Sequence, residues 1–232
     1  MLQVESINCF YGQSQALFNV SLEVGDKEVV ALLGRNGAGK STTLKAIMGI
    51  NPPRTGRIIH DGEDVTGLRP HEIARRGIGY VPEDRRLFPG LSVMDNLRVA
   101  AIGTNDFVGI DESLHLFPKL RRYLDTKARN LSGGEQKMLA MARGMIGHKE
   151  LLLMDEPTEG LAPSIVQTIK DALLKIRGEA SIMLVEQNTP LALEIADRIY
   201  IVRNGSIVFE GEPKEVQENK KVQSYLTVTH EV

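Results

Sequence analysis

The sequence predicts an α/β fold in which a core with a mostly parallel sheet carries an N-terminal antiparallel β subdomain and an inserted helical subdomain. A glycine-rich loop lies between a short apolar run and a helical pattern at residues 28–48. Apolar runs alternate with helical patterns again from residue 150 onward, which is typical of a parallel sheet. Near the N-terminus, apolar and polar residues alternate with a period of two, which indicates strands with one buried face.

Composition narrows the function classes. The 232 residues fit one domain, 1–232, and the net charge of −2 provides no basic field, so we expect no direct nucleic-acid partner. A single cysteine, Cys9, excludes an intramolecular disulfide and a cysteine zinc cage, and we expect it to be a buried apolar residue. We expect neither a signal peptide nor a membrane-spanning segment, because no apolar run approaches about 18 residues. Any membrane role should therefore come through a partner.

The elements follow from local patterns. Residues 2–7, 16–24 and 57–60 are predicted to be strands of the N-terminal sheet, and residues 28–33, 78–81, 150–155 and 181–186 to be core strands. Helices are predicted at 41–48, 70–76 and 163–176, after a cap at Thr189, and in the tail from 213. A hairpin is predicted for 198–210 around Asn204-Gly205. Residues 91–145 approximately form the inserted helical subdomain, which starts with a capping box at Ser92 and Asp95.

The glycine-rich loop fits G-x-x-x-x-G-K-[ST] at every fixed position. Its residues are Gly34, Arg35, Asn36, Gly37, Ala38, Gly39, Lys40, Ser41 and Thr42. Glycines let backbone N–H groups point inward, Lys40 reaches the outer phosphates, and the Ser41 hydroxyl can bind Mg²⁺. The loop therefore predicts a P-loop nucleoside triphosphatase core, but by itself it leaves GTPase, kinase, helicase and transporter ATPase open.

Two carboxylates end the apolar run at residues 150–155. Asp155 and Glu156 should lie at the carboxyl edge of the sheet, where open α/β sheets bind ligands. We expect Asp155 to hold Mg²⁺ and Glu156 to polarise the water that attacks the γ-phosphate. An isolated Asp-Glu pair would more often be two solvated charges, but the phosphate loop upstream favours the catalytic interpretation.

The stretch L-S-G-G-E-Q at residues 131–136 discriminates among the P-loop classes. Ser132 can cap the next helix with Glu135 at its third position, while Gly133 and Gly134 expose backbone N–H groups to an anion. This stretch resembles the signature sequence of ABC ATPases, and the resemblance covers nearly the whole chain. It implies that two ATP-binding subunits, identical or paralogous, pair head to tail. Ser132, Gly133, Gly134 and Glu135 would then serve the ATP bound by the other subunit.

The resemblance also assigns single positions. Tyr11 matches the aromatic residue that stacks on adenine, although a lone loop aromatic is more often core or rim. Glu83 stands where most members have a metal-coordinating glutamine, and it can still coordinate Mg²⁺ through oxygen. Gln187 stands where most have the switch histidine, and Ala162 where an aspartate is usual. We expect Gln187 to orient water or contact the γ-phosphate without titrating near neutral pH, the alternative being that it only begins a loop.

These departures resemble a subgroup, the LivF-type ATP-binding subunits of branched-chain amino acid importers. The stretches that carry this likeness are residues 81–83, 85–89, 159–163 and 185–188. The resemblance implies an ATP-hydrolysing importer subunit that uses ATP and Mg²⁺ and sits peripherally on the cytoplasmic face of the cell membrane. Its implied partners are a second ATP-binding subunit, integral membrane permease subunits and a separate solute-binding protein. The alternatives are a urea or amide importer, a lipid or polysaccharide exporter, and a soluble ABC ATPase acting on nucleic acid.

Overall fold

The computed structural model describes residues 1–147 and 149–226. In this part of the chain an antiparallel sheet of four strands has the order β2-β1-β4-β5. Its strands are β1 (Leu2–Tyr11), β2 (Ser14–Val24), β4 (Thr55–His60) and β5 (Glu63–Asp64). Alternate side chains of β1, among them Cys9, are fully buried, as expected for a strand with one face on the core. The predicted N-terminal antiparallel sheet and the buried cysteine are confirmed.

The second sheet holds six of the described strands in the order β10-β9-β3-β8-β7-β6. They are β3 (Val29–Leu33), β6 (Ile78–Val81), β7 (Leu151–Asp155), β8 (Ser181–Glu186), β9 (Arg198–Arg203) and β10 (Ser206–Gly211). All neighbours pair in parallel except β9 and β10, which form the predicted hairpin. The mostly parallel core is thus confirmed.

Alternate side chains of the buried strands enter two different cores. Val30 and Leu32 of β3 pack with the N-terminal sheet and the helix that follows the glycine-rich loop. Val29, Ala31 and Leu33 pack with the helices on the opposite face. Because both faces are covered, β3 can be apolar at every position. This explains why the core strands read as continuous apolar runs and the N-terminal strands as alternating ones.

Helices lie on both sides of the large sheet. Their bounds are α1 (Lys40–Ile47), α2 (Pro70–Ala74), α6 (Pro163–Ile176), α7 (Thr189–Ile195), α8 (Pro213–Glu218) and α9 (Lys220–Leu226). The predicted cap of α7 is wrong by one residue: the Asn188 side chain, not that of Thr189, accepts from Leu191 N–H at 3.2 Å. The tail beyond residue 226, part of the predicted terminal segment, lies outside the described residues.

Residues 93–145 form α3 (Val93–Thr104), α4 (Val108–Leu116), 3-10 turns at Pro118–Tyr123 and Ala128–Asn130, and α5 (Gly133–Met145). Ser92 caps α3 by accepting from Asp95 N–H at 3.0 Å. The predicted capping box is wrong in its second half, because the Asp95 carboxylate accepts from the Ser92 hydroxyl and not from its backbone. Within the described ranges, no helix combines the length and apolar character needed to cross a membrane.

Candidate nucleotide-binding and hydrolysis site

The phosphate loop connects β3 to α1. Gly39 has φ of +114°, and a β-carbon there would lie 2.7 Å from the Leu17 side chain, so this position requires glycine. The turn between β9 and β10 supports the loop, because Gly205 N–H donates to Ala38 O at 2.8 Å. Backbone N–H groups at the start of α1 consequently face the cleft, where they favour an anion.

Lys40 extends along the loop that contains it. Its Nζ donates to the carbonyl oxygens of Gly34 at 2.9 Å and Arg35 at 3.2 Å, and lies 3.1 Å from Glu156 Oε1. Both side chains of the pair are almost completely buried, so each charge depends on the other for compensation. The predicted phosphate lysine and the predicted catalytic carboxylate are therefore in direct contact.

Ser41 and Asp155 meet across the same crevice. Ser41 Oγ donates to Asp155 Oδ1 at 2.8 Å, and the Tyr80 hydroxyl donates to Asp155 Oδ2 at 3.3 Å. Burial raises the pKa of Asp155, while the hydrogen bond from Ser41 opposes that shift. Of the three predicted metal ligands, Ser41 and Glu83 line the same cleft, and Asp155 is joined to it through its hydrogen bond from Ser41.

Gln187 follows the carboxyl end of β8. Its Nε2 donates to Glu156 Oε2 at 2.9 Å and to Asn36 Oδ1 in the phosphate loop. The side chain is exposed. It connects the loop after β3, through Asn36, with the segment after β7, through Glu156. Glu156 itself has φ of +46°, an unusual conformation for a residue other than glycine and one that is associated with functional sites.

The phosphate loop and Glu156 border a cleft of about 720 Å³, whereas Gln187 lines a second pocket that shares Asn36 with it. The walls of the cleft include Tyr11, Lys40, Ser41, Thr42, Glu83, Glu156 and Glu159, together with Phe18, Asn204 and Gly205. Tyr11 is 50% exposed, and its hydroxyl lies 3.4 Å from Thr42 Oγ1. An exposed ring beside a phosphate loop can support a planar base, which fits the position predicted for adenine stacking.

The signature stretch forms the N-terminus of α5 and is not part of that cleft. Ser132 N–H donates to Glu135 Oε2 at 2.9 Å, and Glu135 N–H donates to Ser132 Oγ at 3.4 Å, so this predicted capping box is present. Burial opposes ionisation of Glu135, but the hydrogen bonds from Ser132 outweigh it and lower its pKa to about 2. Ser132 and Gly133 are exposed, whereas Gly134 packs against Ile165. The helix end is open to an anion that would have to come from outside the cleft.

Sequence reasoning missed residues that line the cleft, such as Phe18 and Glu159, and two buried or half-buried residues that support the site from beside it. Tyr80 supports Asp155, and its strand register next to β7 was the only available signal. Glu186 is buried and accepts four hydrogen bonds from the segments that carry Glu156 and Gln187. A carboxylate that ends a mostly apolar strand was a visible signal for Glu186.

The fold, the phosphate loop with its neighbouring carboxylates and the capped signature helix define an ATPase of the ABC class. A family model described as "ABC transporter" matches residues 17–159, and full-length relatives reach 42% identity. The chain belongs to the ABC transporter ATPase family. It is therefore an ATP-binding and ATP-hydrolysing subunit.

Relatives cover nearly all of the chain. A high-affinity branched-chain amino acid transport ATP-binding protein, BraG of Pseudomonas aeruginosa, is 42% identical over 97% of this chain and 99% of its own length. A probable branched-chain amino acid transport ATP-binding protein, LivF of Archaeoglobus fulgidus, is 38% identical over 95% and 96%. The lipopolysaccharide export system ATP-binding protein LptB of Haemophilus influenzae is 32% identical over 96% and 95%.

Solved structures give the same class. A nucleotide-free ATP-binding cassette from an ABC transporter superposes with a TM-score of 0.86 and 25% identity over 99% of both chains. A cassette in its ADP conformation gives a TM-score of 0.83 and 26% identity over 97% of both. A dimeric cassette in a post-hydrolysis state with ADP and phosphate gives 0.84 and 25% over 92% of this chain and 99% of that one.

Proposed function

We propose that this chain is the ATPase subunit of an importer for branched-chain amino acids and works at the cytoplasmic face of the cell membrane. The observation that carries the proposal is the contact network of Lys40, Glu156 and Gln187, which joins the phosphate loop to two strand ends. The similarity to BraG and LivF, higher than that to LptB, supports the solute class and the direction.

Mg²⁺ fits the residues of the cleft. Ser41, Asp155 and Glu83 offer one hydroxyl and two carboxylates, and oxygen is the donor that Mg²⁺ prefers. These residues would hold it, and when bound it would neutralise charge on the β- and γ-phosphates. Buried Asp155, with its raised pKa, is the ligand whose ionised form gains most from a cation.

We assign hydrolysis to Glu156 and Gln187, which contact each other beside the phosphate loop. Glu156 accepts a proton from the attacking water, which is the work of a general base. Lys40 now contacts Glu156 and two loop carbonyls, so the phosphates of ATP would compete with these partners for its charge. Movement of Lys40 toward the phosphates would leave Glu156 free to accept a proton. Gln187 orients the water through an amide that both donates and accepts.

The open helix end at Ser132 supports pairing with a second copy or a paralogue. One chain supplies a phosphate loop with charged side chains, and the other supplies the N-terminus of α5. ATP bound between them would close the dimer, and its hydrolysis would reopen it. Tyr11 would hold the adenine of that ATP.

The loop after β6 supports docking of the permease subunits beside the helical subdomain. Arg85 donates to Gln136 at 2.8 Å and Lys137 donates to Glu83 O at 3.2 Å, so this loop is tied to α5. The buried Asn96 side chain of α3 bonds both backbone groups of Phe88. Exposed apolar side chains lie on this loop, on α3 and at the start of α4: Phe88, Leu91, Val99, Ile102, Phe107 and Val108. A permease helix packed there would sense Glu83 through one loop.

Transport by the assembled complex tests the proposal. The chain should co-purify with its membrane subunits, and vesicles holding the complex and a solute-binding protein should accumulate leucine, isoleucine and valine when ATP is supplied. The complex carrying Glu156→Gln is the control and should accumulate none. Export of a lipid-linked polysaccharide, the function class named for LptB, with no amino acid uptake would contradict the import proposal.

A further inference from the structure

Glu186 ends β8 and is 1% exposed, yet its carboxylate binds two separate segments. Oε1 accepts from Thr158 N–H at 3.0 Å and from Thr158 Oγ1 at 2.6 Å. Oε2 accepts from Gln187 N–H at 3.1 Å and from Asn188 N–H at 3.2 Å. Each carboxylate oxygen therefore carries two donors, one pair from the segment after β7 and one pair from the segment after β8.

Burial of a carboxylate is unfavourable unless hydrogen bonds replace its water. Four donors do so here, three of them backbone N–H groups that would otherwise lack a partner at the strand ends. The rest of β8 is buried and mostly apolar, so an apolar side chain would satisfy the packing at its end but none of these donors. The carboxylate thus serves the backbone of two loops, not the core.

The two segments are those that carry Glu156 and Gln187. Thr158 lies two residues after Glu156, whose positive φ persists only because neighbouring contacts hold it. Glu156 N–H donates to Val185 O at 2.9 Å on one side, and Thr158 is held by Glu186 on the other. The backbone N–H of Gln187 donates to the same Glu186 carboxylate, and its side-chain Nε2 donates to Glu156 Oε2 at 2.9 Å.

We propose that Glu186 is a positioning residue for hydrolysis: it fixes the backbone on both sides of the Glu156–Gln187 contact. It does not contact ATP and acts only through those two residues. The inference rests on the roles proposed above for Glu156 and Gln187. It predicts that hydrolysis requires a side chain that accepts all four hydrogen bonds. A side chain with the same charge or the same volume, but without these four bonds, should not replace Glu186.

Two substitutions weaken this network with little change in shape, one at the acceptor and one at a donor. In Glu186→Gln one acceptor oxygen becomes an amide donor, which must face either the Thr158 or the Gln187 and Asn188 donors. Thr158→Val removes only the hydroxyl, and Thr158→Ser returns it. Glu194→Gln is the matched control, because Glu194 is an exposed carboxylate on α7 that pairs with Lys170 at 2.7 Å.

The experiment measures kcat, KM, equilibrium ATP affinity and the thermal unfolding midpoint for the assembled ATPase. Glu186→Gln should lower kcat roughly tenfold and change KM and ATP affinity less than about twofold, because only the positioning of Glu156 and Gln187 is altered. Thr158→Val should act in the same direction, Thr158→Ser should recover turnover, and the Glu194→Gln enzyme should match the parent. The double variant Thr158→Val with Glu186→Gln should be no slower than the slower single variant, since both break one linkage.

Parental kcat in Glu186→Gln at a temperature where it is folded would overturn the inference, as would losses that multiply in the double variant. If Glu186→Gln fails to fold, Thr158→Val and Thr158→Ser decide the matter by the same kinetic criteria. Glu156→Gln, measured in parallel, distinguishes failure of the proposed catalytic site from failure of the positioning role. Normal turnover of Glu156→Gln contradicts the proposed catalytic site, whereas a slow Glu156→Gln with a normal Glu186→Gln contradicts the positioning role alone.

Discussion

Two anion-binding helix ends in this chain differ in how complete they are. At α1, buried Lys40 pairs with Glu156, and Ser41 donates to Asp155, so two carboxylates at the end of β7 meet the start of the helix. At α5, the exposed N-terminus has its own cap, made by Ser132 and Glu135, and the cations Lys119 and Arg85 lie beside it. The first end has carboxylates that could bind a metal ion and activate water, whereas the carboxylate at the second end, that of Glu135, is used in the cap. The difference is what we expect if α5 completes a site on another subunit, as proposed above.

The largest effect should come from Glu156→Gln at the complete end. The amide cannot accept a proton from water, so turnover should fall by roughly 10² to 10⁴ while ATP binding persists. Single-turnover hydrolysis measures the loss, and size-exclusion chromatography with ATP and Mg²⁺ should show an accumulated dimer. A variant that remains monomeric and hydrolyses ATP normally would contradict both the base assignment and the pairing of the two ends.

Lys40→Ala should have the next largest effect, on affinity. The variant loses a charge-assisted contact to the outer phosphates worth about 1.5 to 3 kcal/mol, which corresponds to roughly a tenfold to hundredfold weaker Kd. Equilibrium nucleotide binding measures it, and Lys175→Ala on the exposed side of α6 is the control. Undiminished affinity would show that Lys40 stabilises only Glu156 and the loop.

A mixing experiment tests the incomplete end directly. Gly133 has room for a side chain, so Gly133→Asp should leave α5 folded but repel phosphate, and Gly103→Asp, also on an open helical surface, is the control. Lys40→Ala and Gly133→Asp chains should each be inactive alone. Mixed one to one, they should recover up to about a quarter of parental ATPase, because half of the random dimers contain one intact composite site. No recovery would indicate that each chain uses its own α5.

Gln187→Ala should have a smaller effect, roughly threefold to tenfold on the turnover of the assembled transporter, with ATP affinity nearly unchanged. The amide positions water without transferring a proton, so Gln187→His should restore part of the rate. An imidazole with a pKa of about 6.5 should also add an acid-side loss of activity that the parent lacks. Turnover against pH for the three proteins decides it, and an alanine variant as fast as the parent would leave Gln187 without a catalytic role.

The smallest effect should be the pH dependence of stability contributed by Glu135. Its pKa in the folded chain is about 2, below the ordinary value of 4.5, so the ionised form stabilises the fold. That stabilisation should be complete above about pH 4.5 and lost as the pH falls toward 2. Denaturant unfolding at several pH values should show a shallower acid loss for Glu135→Gln than for the parent and the Glu112→Gln control on α4. Identical slopes would contradict the capping role.

Much of the fold could be predicted because its signals are local. The core strands Ile78–Val81 and Ser181–Glu186 and helix Pro163–Ile176 appear at the predicted residues, since apolar runs and a proline start mark them in the sequence. The errors lie at element ends: β1 continues to Tyr11, beyond the predicted 2–7, and α2 ends at Ala74, before the predicted 76. Asn188 and Thr189 are both good capping residues, and only the observed chain path determines which side chain reaches Leu191 N–H.

The sequence by itself determined the class of chemistry, because a phosphate loop, a signature stretch and two carboxylates after an apolar run are short segments whose function depends on spacing. Only the tertiary structure decided which distant groups meet. Lys40 pairs with Glu156 and Glu186 with Thr158 because the parallel strands β3, β8 and β7 lie in that order and end at one edge of the sheet. Strand order is set by packing across the whole sheet, and no local pattern encodes it.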